Sequence, residues 1–246
     1  MLRSLPTEDI VYFGDTAHLP FGDKSARTIK LYSSRISEFL VEKNCKAIVI
    51  ACNTASSIAY ELLRDTYDEE VPVISVIDPT VSQLISETNY RRIGIIGTRA
   101  TIRSRVYQQK ILSLDPSRLV FPLATPLLVP MIEEGYFNDH ISTAIINTYL
   151  ESADLRHIDC LVLACTHYPL IKQEIERWYN GAVKVIDSAE WVANYLHEVL
   201  AERSLLSQNG GNEHHFYVSD LASSFKDSAR VFFDHEVMLE QVTELL

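Results

Sequence analysis

The chain has 246 residues, of which 47% are hydrophobic and 22% charged, as in soluble globular proteins. No apolar run reaches the ~20 residues that span a membrane. The first residues also lack the apolar core of a signal peptide, so we expect a cytoplasmic protein. The formal net charge of −11 argues against a nucleic-acid binder, which would gather Lys and Arg on one face.

Short apolar runs alternate with amphipathic helical patterns along the chain. Strands are predicted at residues 10–13, 47–51, 73–77, 93–96, 119–123, 160–164 and 183–186, and helices at 28–43, 55–67, 102–114, 140–155, 170–178 and 190–203. After a loop at 207–213, residues 215–219 predict another strand and residues 223–233 another helix. The strand residues are nearly all apolar, which is typical of parallel strands covered on both faces. The alternation therefore predicts an α/β fold with parallel sheets.

A faint internal repeat divides the chain. Residues 48–54 read Ile-Val-Ile-Ala-Cys-Asn-Thr, and residues 161–167 read Leu-Val-Leu-Ala-Cys-Thr-His. Both copies are apolar strands that end in Ala-Cys and lead into a helix. Their separation is about the size of one small domain, so the repeat predicts two similar α/β lobes.

Cys52 and Cys165 occupy equivalent places in the two copies, at the carboxyl ends of strands. Ligands of open α/β sheets bind outside these ends. The positive N-terminal end of a following helix favours a thiolate, which is a competent base or nucleophile. Donors for carboxylate oxygens stand directly behind the cysteines: Asn53, Thr54, Thr166 and His167. His167 can also orient the Cys165 thiol or hold its proton.

The other two cysteines, Cys45 and Cys160, lie within or just before apolar runs, and we interpret them as small core side chains. A zinc site from Cys52, Cys165 and His167 would lack both the usual ligand spacing and a fourth ligand. We therefore predict no metal.

Several segments resemble the glutamate racemase family of the aspartate/glutamate racemase superfamily. They are residues 13–17 (Phe-Gly-Asp-Thr-Ala), 20–22 (Pro-Phe-Gly), 51–56 (Ala-Cys-Asn-Thr-Ala-Ser), 97–101 (Gly-Thr-Arg-Ala-Thr), 129–135 (Val-Pro-Met-Ile-Glu-Glu-Gly), 165–170 (Cys-Thr-His-Tyr-Pro-Leu) and 186–189 (Ile-Asp-Ser-Ala). The resemblance covers essentially the whole chain, and the two cysteine motifs together are highly specific.

The resemblance implies cofactor-independent interconversion of L- and D-glutamate. Cys52 and Cys165 would be an acid/base pair on opposite faces of the substrate α-carbon. His167 and Glu133 would support Cys165, and Asp15 would assist on the Cys52 side. The resemblance places substrate contacts at Phe21, Gly22, Asn53, Thr54, Thr101, Thr166 and His167.

The resemblance also implies an architecture and a role. The two pseudo-symmetric lobes would each be a parallel-sheet α/β sandwich, formed by residues 1–78 with 188–246 and by residues 79–187, with the active site in the cleft between them. The product D-glutamate would supply peptidoglycan synthesis, and the enzyme would be a homodimer with no nucleic-acid or membrane partner.

Other interpretations of single residues stay open at this point. Asp15 can instead cap a turn or helix. Glu133 can lie solvated in a charged loop beside Glu134. Thr98 and Thr101 can cap the next helix as well as bind substrate, and these two roles are compatible.

The sequence also departs from the family pattern. An opening strand with an Asp-Ser-Gly turn has no counterpart, so the first lobe would lack a strand and Cys52 its aspartate partner. Either a longer chain exists or the short form is weak or non-catalytic. Phe21 replaces the usual Tyr, and Thr125 stands where the family often has Cys. Racemisation of aspartate or another amino acid, and amino-acid binding without turnover, are the alternative functions.

Overall fold

The computed structural model describes residues 1, 3–87, 89–208, 213–221 and 237–243. The chain forms two compact units. The first contains Met1–Val49, Ala59–Ile74 and Ala193–Leu246, and the second contains Ile50–Ile58 and Ser75–Val192. The predicted pair of lobes with its residue boundaries stays a prediction.

The first unit contains a parallel sheet of three strands. These strands are β1 (Ile10–Gly14), β8 (His214–Val218) and β9 (Leu239–Gln241), in the order β1-β8-β9. Helix α1 (Ala26–Glu42) begins after Ser25, whose hydroxyl accepts a hydrogen bond from the Thr28 N–H. Phe39 of α1 packs edge-on against Phe13 of β1 and Tyr217 of β8, with ring centroids 5.4 and 5.1 Å apart. The aromatic contacts hold α1 against this sheet.

The first cysteine motif follows strand β2 (Ile48–Ile50). This strand pairs with β3 (Val73–Ser75) in a second sheet of two strands, and helix α2 (Asn53–Tyr67) begins directly after Cys52. Helix α9 (Ala189–Glu202) supplies Leu196 and Leu200 to an apolar cluster with Leu5 and Ile74. The residues of these four elements are divided between the two units.

The second unit is built on a parallel sheet of four strands. They are β4 (Arg92–Gly97), β5 (Leu119–Ala124), β6 (Cys160–Ala164) and β7 (Lys184–Ile186), in the order β5-β4-β6-β7. Gly97 lies in register with both Ala124 and Ala164, so the carboxyl ends of β4, β5 and β6 are level. All five residues of β6 are buried, which accounts for its continuous apolar sequence.

Six α-helices lie wholly in the described part of the second unit. They are α3 (Ile77–Glu87), α4 (Arg99–Ser104), α5 (Val106–Leu114), α6 (Leu128–Glu133), α7 (His140–Leu150) and α8 (Lys172–Tyr179). Among them, α6, α7 and α8 bury a core of aliphatic and aromatic side chains against β4 and β6. Asp139 caps α7 in a capping box with Ser142, and buried Glu174 of α8 accepts a hydrogen bond from the Ser142 hydroxyl at 2.6 Å.

The α/β class with parallel sheets is confirmed, and every predicted strand is present. Three details of the prediction are wrong. The predicted helix at 102–114 is interrupted by Arg105, which has a φ of 58° between α4 and α5. The strand predicted at 73–77 ends at Ser75, and Ile77 already belongs to α3. Glu133 ends helix α6 instead of lying in a loop. The helix predicted at 223–233 lies outside the described residues.

Two kinds of feature are absent from the described residues. No helix there is long and apolar enough to cross a membrane. No group of three or more His, Cys, Asp or Glu side chains among them is arranged to hold a metal ion.

Gly97 allows the ends of β4 and β6 to approach closely, and Gly97→Ala tests this packing. An added Cβ would lie 3.1 Å from the Ala164 carbonyl oxygen, which is backbone and cannot rotate away. We expect a loss of about 1–3 kcal/mol in the free energy of unfolding, measured by urea denaturation. Ser113→Ala, on the exposed side of α5, should change it by less than about 0.5 kcal/mol. Equal stability of Gly97→Ala and the parent chain would contradict the close packing.

Candidate active site

Polar residues follow the level strand ends of the second unit. Thr98 comes directly after β4, Thr125 after β5 and Cys165 after β6. This edge of a parallel sheet is where α/β proteins bind ligands, because strand ends and the loops after them converge there. The register therefore places the second cysteine motif beside the Gly97–Thr101 segment.

Cys165 is a buried thiol, with 7% of its surface exposed. Burial is the largest influence and raises the pKa of its thiol to about 12, while hydrogen bonds from the His167 and Tyr168 backbone N–H groups oppose it. The sequence predicted a helix directly behind this cysteine, but α8 begins only at Lys172. The donors come from the intervening turn, so the anion-stabilising groups belong to a turn and not to an α-helix.

His167 and Glu133 lie beside the Cys165 thiol. The sulfur of Cys165 is 3.8 Å from Nδ1 of His167, and Nε2 of His167 is 3.2 Å from Oε1 of Glu133. The charge of Glu133 is near enough to raise the Cys165 pKa. The side chains thus form a Glu-His-Cys line, in which the Glu133 oxygen is at ion-pair distance from the imidazole and has no hydrogen-bond partner among the described residues. Thr166 is exposed, and its hydroxyl oxygen is 3.4 Å from the same Nδ1.

Cys52 stands between β2 and α2 and is half-buried. Burial raises the pKa of its thiol, and three groups lower it: the Ala55 and Thr54 backbone N–H groups and the Thr54 hydroxyl. These N–H groups belong to the first turn of α2, where unpaired donors favour an anion. The predicted helix directly after Cys52 is confirmed, whereas the preference for a thiolate stays a prediction.

Cys52 and Cys165 both belong to the second unit. The charge of Cys52 raises the pKa of Cys165, in addition to the effects of burial and of Glu133. A like charge nearby disfavours a second ionisation, so the pair favours one thiolate and one thiol over two thiolates.

Three threonine hydroxyls form a hydrogen-bonded cluster next to Cys52, which we call the threonine triangle. The oxygen of Thr54 is 2.8 Å from that of Thr98 and 3.2 Å from that of Thr101, and the last two are 3.0 Å apart. The Thr98 hydroxyl also accepts the Thr101 N–H and so caps α4. The capping role predicted for Thr98 is therefore correct.

Tyr107 and Tyr168 belong to this region, and sequence reasoning did not identify them. The Tyr107 hydroxyl donates to Oδ1 of Asn53 at 2.6 Å. The Tyr168 and Thr125 hydroxyls are 2.6 Å apart, and both residues are fully buried. The sequence marks Tyr107 only as a position of a predicted helix and Tyr168 only as a member of the second cysteine motif, so a hydroxyl partner was the missing signal.

Asp15, Phe21 and Gly22 belong to the first unit, and their roles at the cysteines stay predictions. Asp15 is not a cap, because its side chain makes no capping hydrogen bond. Its Oδ1 accepts the Ser219 hydroxyl at 2.8 Å and is 2.7 Å from Nδ1 of His18. Phe21 and Gly22 begin a short 3₁₀ turn after β1.

The remaining cysteines are not part of this site. Cys160 begins β6, at the opposite end of the strand from Cys165, and is fully buried. Burial raises the pKa of its thiol to about 12. Cys45 is half-buried and belongs to the first unit.

Comparisons with known proteins show the family to which the chain belongs. Residues 3–196 match the Asp/Glu/hydantoin racemase family. Glutamate racemase from Geobacter metallireducens is 41% identical over 227 residues, which are 92% of this chain and 83% of that protein. The crystal structure of glutamate racemase from Francisella tularensis in complex with D-glutamate matches with a TM-score of 0.91 and 37% identity, over 98% of this chain and 90% of that one.

A second solved structure gives the same result. The glutamate racemase isoform from Bacillus anthracis matches with a TM-score of 0.92 and 31% identity, over 100% of this chain and 91% of that one. Both the sequence and the fold agree along nearly the whole length. The chain therefore belongs to the Asp/Glu/hydantoin racemase family and, within it, to the glutamate racemases, which are isomerases.

Proposed function

We propose that this chain interconverts L- and D-glutamate by two-base proton transfer between Cys52 and Cys165, without a cofactor. The observation that carries the proposal is the Glu133–His167–Cys165 line, in which the Cys165 sulfur is 3.8 Å from Nδ1 of His167, in the same unit as a second thiol, Cys52, at the start of α2. The bound D-glutamate of the Francisella tularensis relative supports the choice of substrate.

The proton balance needs one thiolate and one thiol. The thiolate takes the α-proton, so an S–H bond forms as the C–H bond breaks and the electron pair stays on carbon. The other thiol then delivers its proton to the opposite face and becomes the thiolate. The centre is inverted, and the two cysteines have exchanged roles. Each direction of the reaction thus uses a different cysteine as base.

Burial has two opposing effects on this chemistry. It raises the pKa of both thiols, so thiolate is scarce at neutral pH. The same raised pKa makes each thiolate a stronger base, because basicity follows pKa. The backbone N–H groups of Thr54, Ala55, His167 and Tyr168 limit the cost of forming the anion.

Neutral donors would bind the substrate carboxylates. Asn53, Thr54 and Thr101 are buried and polar, and the exposed Thr166 adds a hydroxyl beside His167. A negative charge developing next to a carboxylate is stabilised by donors that are already oriented before reaction. Phe21 and Gly22 would add backbone contacts, and Asp15 would assist on the Cys52 side.

The cellular role follows from the product. D-glutamate would supply peptidoglycan synthesis in the cytoplasm, and the enzyme would act as a homodimer. Size-exclusion chromatography with light scattering measures the assembly directly.

Removing either thiol should abolish racemisation, because one base cannot serve both faces. Cys52→Ala and Cys165→Ala should each reduce the rate of enantiomer interconversion by roughly 10³-fold or more. The measurement is D- and L-glutamate formation in deuterated water, followed by NMR and chiral chromatography. The remaining thiol should at most exchange the α-proton of one enantiomer.

Cys45→Ala is the matched control, because this thiol lies outside the site and should leave the rate unchanged. Wild-type protein that exchanges no α-proton would refute the proposed activity. Full racemisation by either active-site variant would refute the two-thiol mechanism.

The raised thiol pKa values predict an alkaline pH profile. A thiol with a raised pKa is protonated at neutral pH, and its thiolate fraction grows about tenfold per pH unit below the pKa. We expect kcat to rise continuously from about pH 7 to about pH 9. Initial rates in both directions measure this. A rate that is flat or falling over this range would show that thiolate formation does not limit turnover.

Glu133→Gln tests the support of Cys165 through His167. The amide keeps the shape but removes the charge that faces Nε2 of His167 at 3.2 Å. We expect kcat to fall roughly tenfold, because a charge-assisted contact is lost. Loss of the negative charge should also lower the Cys165 pKa and move the rising limb of the pH profile to lower pH. The neighbouring, exposed Glu134→Gln is the control and should behave as wild type; a Glu133→Gln profile identical to it would contradict the role.

A further inference from the structure

Tyr107 is a buried tyrosine whose hydroxyl points at the first cysteine motif. It lies on α5 and is 4% exposed, and its O–H donates to Oδ1 of Asn53 at 2.6 Å. Asn53 is itself 3% exposed. A hydrogen bond this short between two buried groups strongly restrains the amide, since breaking it would leave both groups unsatisfied.

Tyr107 stays protonated and therefore remains a donor. Burial raises its pKa most, a side-chain hydrogen bond with Thr80 lowers it, and the charges of Asp78 and Cys165 raise it further. The geometry ties Tyr107 to the first cysteine motif, through the hydrogen bond of its hydroxyl to Asn53.

We propose that Tyr107 is a positioning residue that fixes which end of the Asn53 amide faces the substrate. An asparagine amide offers one acceptor oxygen and two N–H donors. With its oxygen held by Tyr107, Asn53 presents its NH₂ group to any ligand at the site. That is the end a carboxylate needs, and the flipped amide would turn its oxygen toward a substrate anion.

The neighbouring helices support this arrangement. Thr101 of α4 contacts Thr54, and Tyr107 of α5 contacts Asn53. Arg105 separates these helices in a left-handed conformation, with a φ of 58°. Asn53 and Thr54, the two residues after Cys52, are therefore contacted by two consecutive helices, α5 and α4.

An ion pair also links α5 to α3. Lys110, one turn after Tyr107, is 2.5 Å from Oδ1 of Asp78 at the start of α3. The tyrosine thus projects from a helix that is tied to its neighbour, which suits a role in orientation.

Tyr107→Phe is the direct test, and it rests on the proposed racemase activity. The substitution keeps the ring and removes only the hydroxyl. We expect KM for both glutamate enantiomers to rise about tenfold, because the freed amide populates the wrong orientation and one donor to a charged ligand is weakened. The value of kcat should change less than about threefold, since the thiols are untouched. Unchanged KM values would overturn the proposal.

Tyr179→Phe is the matched control in the same unit. Its buried hydroxyl has no hydrogen-bond partner within the part of the chain that the structure describes. Removing it should leave KM and kcat at wild-type values. Thermal unfolding of both variants separates a kinetic effect from general loss of structure: equal melting temperatures with a raised KM only in Tyr107→Phe support positioning.

A double-mutant cycle with Asn53→Ala tests whether Tyr107 acts through Asn53. In the Asn53→Ala background, Tyr107→Phe should raise KM by less than about twofold, because the group it positions is already gone. Calorimetric titration with D-glutamate gives the same comparison where turnover is too slow. Additive effects would refute action through Asn53.

If wild-type protein exchanges no α-proton in deuterated water, the proposed racemase function fails. That result is distinct from a failure of the role proposed for Tyr107.

Discussion

The parallel register of β4 and β6 is the constraint on which the candidate site depends. Gly97 lies opposite Ala164, and a side chain at Gly97 would meet the Ala164 carbonyl oxygen. The register makes the strand ends level, so that Thr98 and Cys165 emerge at the same edge of the sheet. The hydroxyl of Thr98 then reaches Thr54, the second residue after Cys52. The segment after β4 thereby lies next to both cysteine motifs: Gly97 is paired with Ala164, and Thr98 contacts Thr54.

Around this edge, fixed backbone dipoles oppose the effect of burial on the pKa of the two thiols. Apolar packing removes water from the thiols and disfavours their anions, whereas backbone N–H groups from α2 and from the turn after Cys165 favour them. The two cysteines are treated unequally: Cys52 has the first turn of a helix and a threonine hydroxyl, and Cys165 has a turn, His167 and Glu133. A pseudo-symmetric sequence repeat has therefore produced two chemically different surroundings.

The sequence predicted the parallel α/β class and every strand from residue 10 to residue 186, because buried strands are short, apolar and bounded by polar residues. It could not predict the break at Arg105, since the apolar periodicity continues through it. Helix α3 was missed because its first residues extend the apolar run of β3. Cys52, Cys165 and their polar neighbours could be identified by their place in the repeat. Tyr107 could not, because a tyrosine on an apolar helical face gives no sign of where its hydroxyl points. Strand β9 has only three residues, too few for a pattern.

The threonine triangle has a consequence for how an anion would bind there. Three hydroxyls carry three protons, and three mutual contacts can use all of them in a closed ring. Each hydroxyl can thus be satisfied by its neighbours, and none of the three is left as an unpaired polar group. An anion that accepts one of these protons opens the ring, exchanging one hydrogen bond for a charge-assisted one. The threonines themselves thus make the hydrogen bond that an anion would replace.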